Sequence, residues 1–222
     1  MRRQIETQVA AAQDDVVLHA LQRELARGGQ CYCVVPRIAD TEQVAGMVSK
    51  LVPSAKMIVA NGQQKDVEDR LMQFSDGYAD ILLCTPIIES GLDLPSVNTI
   101  IVFEAQRFGL SSLYQLRGRV GRGALQAYAL FTYPPGTELS AESQQRLDAL
   151  QEFGVLGSGY QLAQRDLEIR GAGSLLGADQ SGEANDVGVQ LYMKMLREVV
   201  AEISQKPEEQ VKEEIVRYGQ EN

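Results

Sequence analysis

The sequence predicts an α/β fold, a parallel sheet with helices on both faces, followed by an α-helical hairpin, a glycine-rich loop and a C-terminal helix. Two observations predict it. From Asp14 to Tyr133, short runs rich in Val, Ile and Leu alternate with stretches of helical period. Such alternation builds βαβ units whose strands are buried on both sides. After Pro134-Pro135-Gly136 the helical period continues without further strands. The boundaries follow: residues 1–134 form the sheet domain, 135–204 the hairpin, loop and following helix, and 205–222 an acidic tail.

In order along the chain, Asp14–Arg27 is expected to be a helix. Asp14 or Asp15 would cap it, Val17, Leu18, Leu21 and Leu25 form its stripe, and Gly28-Gly29 ends it. His19, the only histidine, falls beside that stripe and takes no role. Strands are expected at Gln30–Val35, Lys56–Ala60, Asp80–Cys84, Thr99–Phe103 and Ala127–Tyr133. Helices are expected at Thr41–Leu51, Lys65–Phe74 and Leu110–Leu116. Beyond the boundary, Ala141–Phe153 and Tyr160–Ile169 pair as a hairpin joined by Gly154–Gly159. The loop Gly171–Gly182 holds four glycines in twelve residues, and Val189–Ile203 is a last helix.

Composition narrows the function. Hydrophobic content of 44% and charged content of 23% suit a globular domain of 222 residues. No apolar run approaches the ~20 residues of a membrane span, and no secretory leader is visible, so no membrane partner is expected. Cys31, Cys33 and Cys84 are odd in number and lack metal spacing, which reads as core packing in a reducing compartment. The net charge of -9 argues against a surface that binds nucleic acid everywhere, but it leaves room for a local basic track. That track exists: Ala105–Thr137 holds four arginines and no acidic residue. The acidic excess gathers elsewhere, as in Glu202–Asn222, with six glutamates against three basic residues.

The densest point is Gln115-Leu-Arg-Gly-Arg-Val-Gly-Arg122. Its arginines carry planar, five-donor forks suited to phosphate oxygens, and its glycines remove bulk beside them. By residue chemistry this octet is an oxyanion clamp. A second unusual stretch, Thr85-Pro-Ile-Ile-Glu-Ser-Gly-Leu-Asp-Leu-Pro95, lies upstream. Ligands of parallel sheets gather outside the carboxyl ends of strands, and Thr85, Gly91–Asp93 and Arg117–Arg122 all follow strands. The phosphate loop Gly-x-x-x-x-Gly-Lys-Ser/Thr is absent. No metal-holding acid pair follows a strand, so no metal site is expected in this chain.

These two stretches resemble motifs V and VI of superfamily-2 helicases and translocases. Three further signatures narrow the resemblance: Arg107-Phe-Gly-Leu110, Arg146-Leu-Asp-Ala-Leu-Gln-Glu-Phe153 and Arg165-Asp-Leu-Glu-Ile-Arg-Gly-Ala-Gly-Ser-Leu-Leu-Gly177. With them the chain resembles the transcription-repair coupling factor family of double-stranded DNA translocases, related to the RecG helicase. RecG-type chains show Arg-Gly-Pro-Gly where this one has Arg170-Gly-Ala-Gly173, and the family's His-Gly is here Asn61-Gly62. The resemblance implies the second RecA-like motor domain, a helicase C-terminal lobe, followed by a translocation module. It also implies a larger parent protein, with a first motor lobe holding ATP and Mg2+, other domains meeting RNA polymerase, and a bacterial cytoplasm or plastid stroma as its place.

The resemblance further implies roles. Arg122 would be the arginine finger on the γ-phosphate of ATP, with Arg119 and Gln115 completing the clamp. Gly91 and Asp93 would lie at the nucleotide. Thr85 and Arg37 would hold the phosphates of double-stranded DNA, with Gln180 reaching DNA from the glycine-rich loop. Arg146 and Arg170, one on each helix of the hairpin, would couple nucleotide state to DNA stepping. A RecG-type branch-migration helicase, or a binding module that never meets a nucleotide, are the alternative readings.

Overall fold

A computed structural model describes residues 4–86, 97–121 and 125–152, together with Arg165 and Ile169. The chain divides into two compact units, Met1–Arg170 and Gly171–Asn222. All the described residues belong to the first. The expected helices Tyr160–Ile169 and Val189–Ile203 and the glycine-rich loop lie outside the described residues, apart from Arg165 and Ile169, which are helical.

Six parallel strands form one sheet: β1 (Glu6–Ala11), β2 (Gln30–Val34), β3 (Met57–Ala60), β4 (Ile81–Cys84), β5 (Val97–Val102) and β6 (Tyr128–Tyr133), in the order β1-β6-β5-β2-β4-β3. The central strands β2, β4 and β5 are buried at every position. That is why they read as mostly apolar runs, with Gln30, Asn98 and Thr99 as the polar exceptions. β1 was not expected. It is an edge strand, and its Glu6, Thr7, Gln8 and Val9 lie against Tyr128, Ala129, Leu130 and Phe131 of β6. An edge strand needs no continuous apolar run, and here only the period-two series Ile5, Thr7, Val9 betrays it.

Five helices cover the two faces: α1 (Asp14–Leu25), α2 (Thr41–Leu51), α3 (Val67–Ser75), α4 (Leu110–Arg117) and α5 (Ala141–Glu152). Val17, Ala20 and Leu21 of α1 and Val48 of α2 pack on Cys31, Cys33, Ile81, Leu83 and Ile101. On the other face, Leu71 and Phe74 of α3, Leu110, Leu113 and Leu116 of α4, and Leu147 and Leu150 of α5 meet Tyr32, Leu82, Ile100 and Phe131. Alternate strand residues thus serve alternate faces. Each fully buried Leu or Phe side chain contributes about 1.5–3 kcal/mol of transfer free energy. The expected cap of α1 is corrected. Gln13 takes the N-cap position without a side-chain bond, while Asp14 and Asp15 sit in the first turn, where the helix dipole favours them. Gly28, at φ 71, ends the helix as expected, and His19 is exposed on its surface.

The three cysteines are free and buried. Burial holds the Cys31 and Cys33 thiols well above their ordinary range and pushes Cys84 up to about 12. The folded chain is therefore expected to resist a thiol reagent such as dithiobis-nitrobenzoate at pH 8, with all three sites reacting once it is unfolded. The sign of the pH dependence follows. The raised values contribute stability that is fully present below the unfolded thiol pKa of about 8.5, and it is lost as pH rises from there toward 12. Urea midpoints measured across that range check it, and rapid labelling of the folded chain would refute the burial.

Candidate functional site

Because all strands run parallel, the loops after them share one edge. Arg37 lies just past β2, Thr85 directly after β4, and Glu104 and Arg107 just past β5. Thr85, the residue after β4, is buried to 9% exposure. Arg37 is exposed, and its guanidinium makes a two-pronged bond to Asp40, Nε to Oδ2 at 3.0 Å and Nη2 to Oδ1 at 2.8 Å. The pairing raises the pKa of Arg37 and lowers that of Asp40, with smaller contributions from Glu104 and Arg107. The structure thus brings Arg37 and Thr85 to the carboxyl edge, as the sequence leads one to expect.

The end of the octet goes elsewhere. From the carboxyl edge of β5 the chain returns through α4, and the backbone N–H of Gly121 lies 3.5 Å from the carbonyl of Val97, the first residue of β5. A Cβ placed on Gly121 would stand 2.7 Å from the Cβ of Ala127 and 3.5 Å from Cγ1 of Ile5. Ala127 and Ile5 immediately precede β6 and β1. Gly121 therefore lies at the amino edge of the sheet, and the expectation that the whole octet gathers at the carboxyl ends is corrected. The height of a six-residue strand, about 20 Å, separates the two edges.

Within the octet the arginines differ. Arg117 is turned inward at 4% exposure, stacks on the ring of Tyr114 at 4.8 Å, and donates from Nη1 to the carbonyl of Leu150 at 3.0 Å. Burial lowers its pKa, and the Tyr114 contact opposes that shift. It is a packing group of the fold. Arg119 is half-buried. Among the described residues the acidic side chains pair with Arg27, Arg37, Arg70, Arg107 and Arg146, and none pairs with Arg119. Its charge acts on the buried Tyr32 phenol, countering part of the upward push of burial there. Gln115 is exposed on α4. Arg122, Gly91, Asp93, Arg170 and Gln180 lie outside the described residues.

Arg146 sits on α5 with its side chain 18% exposed. Its Nη1 donates to the carbonyl of Phe108 at 2.9 Å, and its Nη2 to the Ser143 hydroxyl at 3.3 Å. Phe108 stands at the entrance to α4, and Arg117 at its exit. The helix that carries Gln115 is thus bonded to α5 at both ends. The sequence reading missed the second of these links. The signal was present: Leu110, Leu113 and Arg117 are spaced three and four apart, so Arg117 shares the buried face of α4. No group of three or more His, Cys, Asp or Glu side chains is placed to hold a metal among the described residues. No described helix is long and apolar enough to cross a membrane.

The described part of the octet thus ends at one edge of a six-stranded parallel sheet, while Arg37 and Thr85 lie at the other. Residues 13–124, about half the chain, match the model of the helicase conserved C-terminal domain. The chain belongs to that helicase family. Its sheet is the RecA-like helicase C-terminal fold. It is 48% identical over 200 residues to the transcription-repair-coupling factor of Bacillus subtilis, covering 89% of this chain and 17% of that protein. It is 41% identical over 203 residues to a chloroplastic ATP-dependent DNA helicase of Arabidopsis thaliana, covering 90% of this chain and 25% of that protein. A solved structure of RecG bound to a three-way DNA junction shares 30% identity at a TM-score of 0.66, covering 86% of this chain and 26% of that one. This helicase lobe therefore spans about a sixth of the length of the coupling factor it matches, and its sequence resembles one part of a larger protein.

Proposed function

We propose that this lobe is the second motor domain of an ATP-dependent double-stranded DNA translocase acting in transcription-coupled repair. Activity requires a first lobe that carries the phosphate loop and holds ATP with Mg2+. Bound there, ATP supplies the phosphoryl group whose transfer drives the motor. This chain contributes cationic donors. Arg122 is the finger on the γ-phosphate, Arg119 and Gln115 complete the clamp, and Gly91 and Asp93 approach the nucleotide. The observation that carries the reading is the amino-edge position of Gly121, with Arg119 close by and unpaired by any described acid. A half-buried guanidinium that no described carboxylate pairs with fits an oxyanion brought by another lobe.

On the carboxyl edge, Arg37 and Thr85 hold backbone phosphates of double-stranded DNA, contacts that position a duplex without reading its sequence. Gln180 reaches DNA from the glycine-rich loop. Nucleotide and DNA therefore meet opposite edges, and α4 is the element that runs between them. Arg146 anchors α5 to the start of α4, which supports a transmission role for it, with Arg170 as its counterpart on the second hairpin helix. RNA polymerase is the partner of domains outside this chain.

The test joins this lobe to a phosphate-loop lobe and measures DNA-stimulated ATP hydrolysis and displacement of a third strand from a triplex. Alone, the 222-residue chain is expected to hydrolyse no ATP. In the two-lobe protein, Arg146→Ala is expected to keep hydrolysis within a few-fold while translocation falls about tenfold, in line with the loss of a part-buried charge-assisted link of roughly 1.5–3 kcal/mol. Equal loss of both activities would reduce Arg146 to a folding role, and unchanged translocation would remove it from the mechanism. Preference for forked over plain duplex DNA would favour the RecG-type reading.

A further inference from the structure

The carboxyl edge of β2 and β5 holds four charges of alternating sign. Arg37 pairs with Asp40, and Glu104 pairs with Arg107 at 2.9 Å. Glu104 is held at φ 49, ψ 47, the left-handed region that a residue with a side chain occupies at a cost. These four charges cancel, so the described residues just past β2 and β5 bring no net positive charge to the edge assigned to the DNA backbone.

The geometry at Arg37 is specific. Asp40 takes the face of the guanidinium formed by Nε and Nη2, the same fork a phosphate uses for two-pronged contact. A phosphate arriving at Arg37 displaces this carboxylate or binds beside it against like-charge repulsion. Either course weakens the grip. Asp40 itself is well enclosed, its side chain 13% exposed, whereas Arg37 is 56% exposed. The carboxylate is therefore the less exposed member of the pair, while the guanidinium faces out. Asp40 makes no side-chain cap to α2, although it takes the position before that helix; among the described residues its side-chain hydrogen bonds go to Arg37, and the Arg107 charge also favours its ionised form.

We propose that Asp40 is a built-in competitor for the nucleic-acid phosphate at Arg37, setting how weakly this loop holds DNA. The proposal rests on the reading of Arg37 as a DNA contact. A motor that steps must release each phosphate it grips. A carboxylate waiting at the same fork shortens that contact by offering the guanidinium an alternative partner.

The experiment titrates a short fluorescent duplex with the two-lobe protein at several salt concentrations, following anisotropy, for wild type, Asp40→Asn, Arg37→Ala and the double variant. Asp40→Asn keeps the shape and removes the charge, and it is expected to bind about two- to fivefold more tightly, the range of an exposed ion pair. Arg37→Ala is expected to bind more weakly, with the salt slope reduced by about 0.9, one phosphate contact. In the Arg37→Ala background, Asp40→Asn is expected to give no tightening. Equal tightening with and without Arg37 would mean a diffuse charge effect and would overturn the proposal, as would unchanged or weaker binding by Asp40→Asn alone. Unchanged affinity and slope for Arg37→Ala would remove Arg37 from the DNA contact, and the competitor with it. Absence of wild-type binding at the lowest salt would overturn both. A melting temperature near wild type for Asp40→Asn excludes unfolding as the source of any change.

Discussion

Arg122→Ala is expected to lower ATP turnover in the two-lobe protein by about 10³–10⁵-fold, the range over which arginine fingers act on phosphoryl transfer. The transferred group spreads negative charge over its oxygens as it leaves. A donor already in place there stabilises that charge without reorganising at the moment of reaction. Arg122 follows Gly121 directly in the sequence, and no described acid pairs with Arg119. The effect should fall on kcat, with nucleotide affinity changed far less. Lysine is expected to rescue little, since it offers a point charge in place of a planar fork. Arg117→Met provides the contrast. Its guanidinium faces Leu150 and Tyr114, so its loss acts through stability, measurable as a shifted urea midpoint. Hydrolysis at the wild-type rate in Arg122→Ala would leave the octet as a basic surface and nothing more.

Much of the fold was legible because its strands are of the kind that sequence announces. β2, β4 and β5 are buried on both faces, so most of their residues are apolar and the runs stand out, with Gln30, Asn98 and Thr99 as buried polar exceptions. β1 was not legible, because an edge strand against β6 leaves Glu6 and Gln8 free to be polar. The site was legible in residue type and less so in direction. Three arginines within six residues suggest phosphate chemistry by residue type, but composition cannot say which of them turns into the fold. The period of α4 settles it for Arg117, which shares a face with Leu110 and Leu113. The edge was misread for a similar reason. Residues that follow a strand lie at its carboxyl end only if the chain stays there, and α4 carries the octet back to the amino end. At Arg37 the acid three residues on, Asp40, was visible in the sequence. Its two-pronged geometry was not.

The two glycines of the octet are expected to behave oppositely. Gly118 caps α4 at φ -67, and a Cβ there would lie 3.4 Å from the carbonyl oxygen of Gln115 and 3.6 Å from that of Tyr114. These are ordinary contacts. Alanine also restricts the unfolded chain, so Gly118→Ala should change stability by less than about 1 kcal/mol. Gly121 sits at φ 77, and a Cβ would be driven within 2.7 Å of Ala127, a backbone-borne methyl that cannot swing aside. The left-handed conformation alone costs an alanine about 1–2 kcal/mol, and relieving the contact must move the loop or the start of β6. Gly121→Ala should therefore destabilise the lobe by roughly 1–3 kcal/mol. Because Arg122 follows directly, a shift on the order of 1 Å there should also cut ATP turnover by about 10²-fold. Urea unfolding and single-turnover hydrolysis of both variants decide it. If Gly118→Ala proved the more damaging, the glycines would be serving the approach of a ligand to the end of α4. The opposite order means that Gly121 is glycine because the amino edge leaves no room for a side chain beside Ala127 and Ile5.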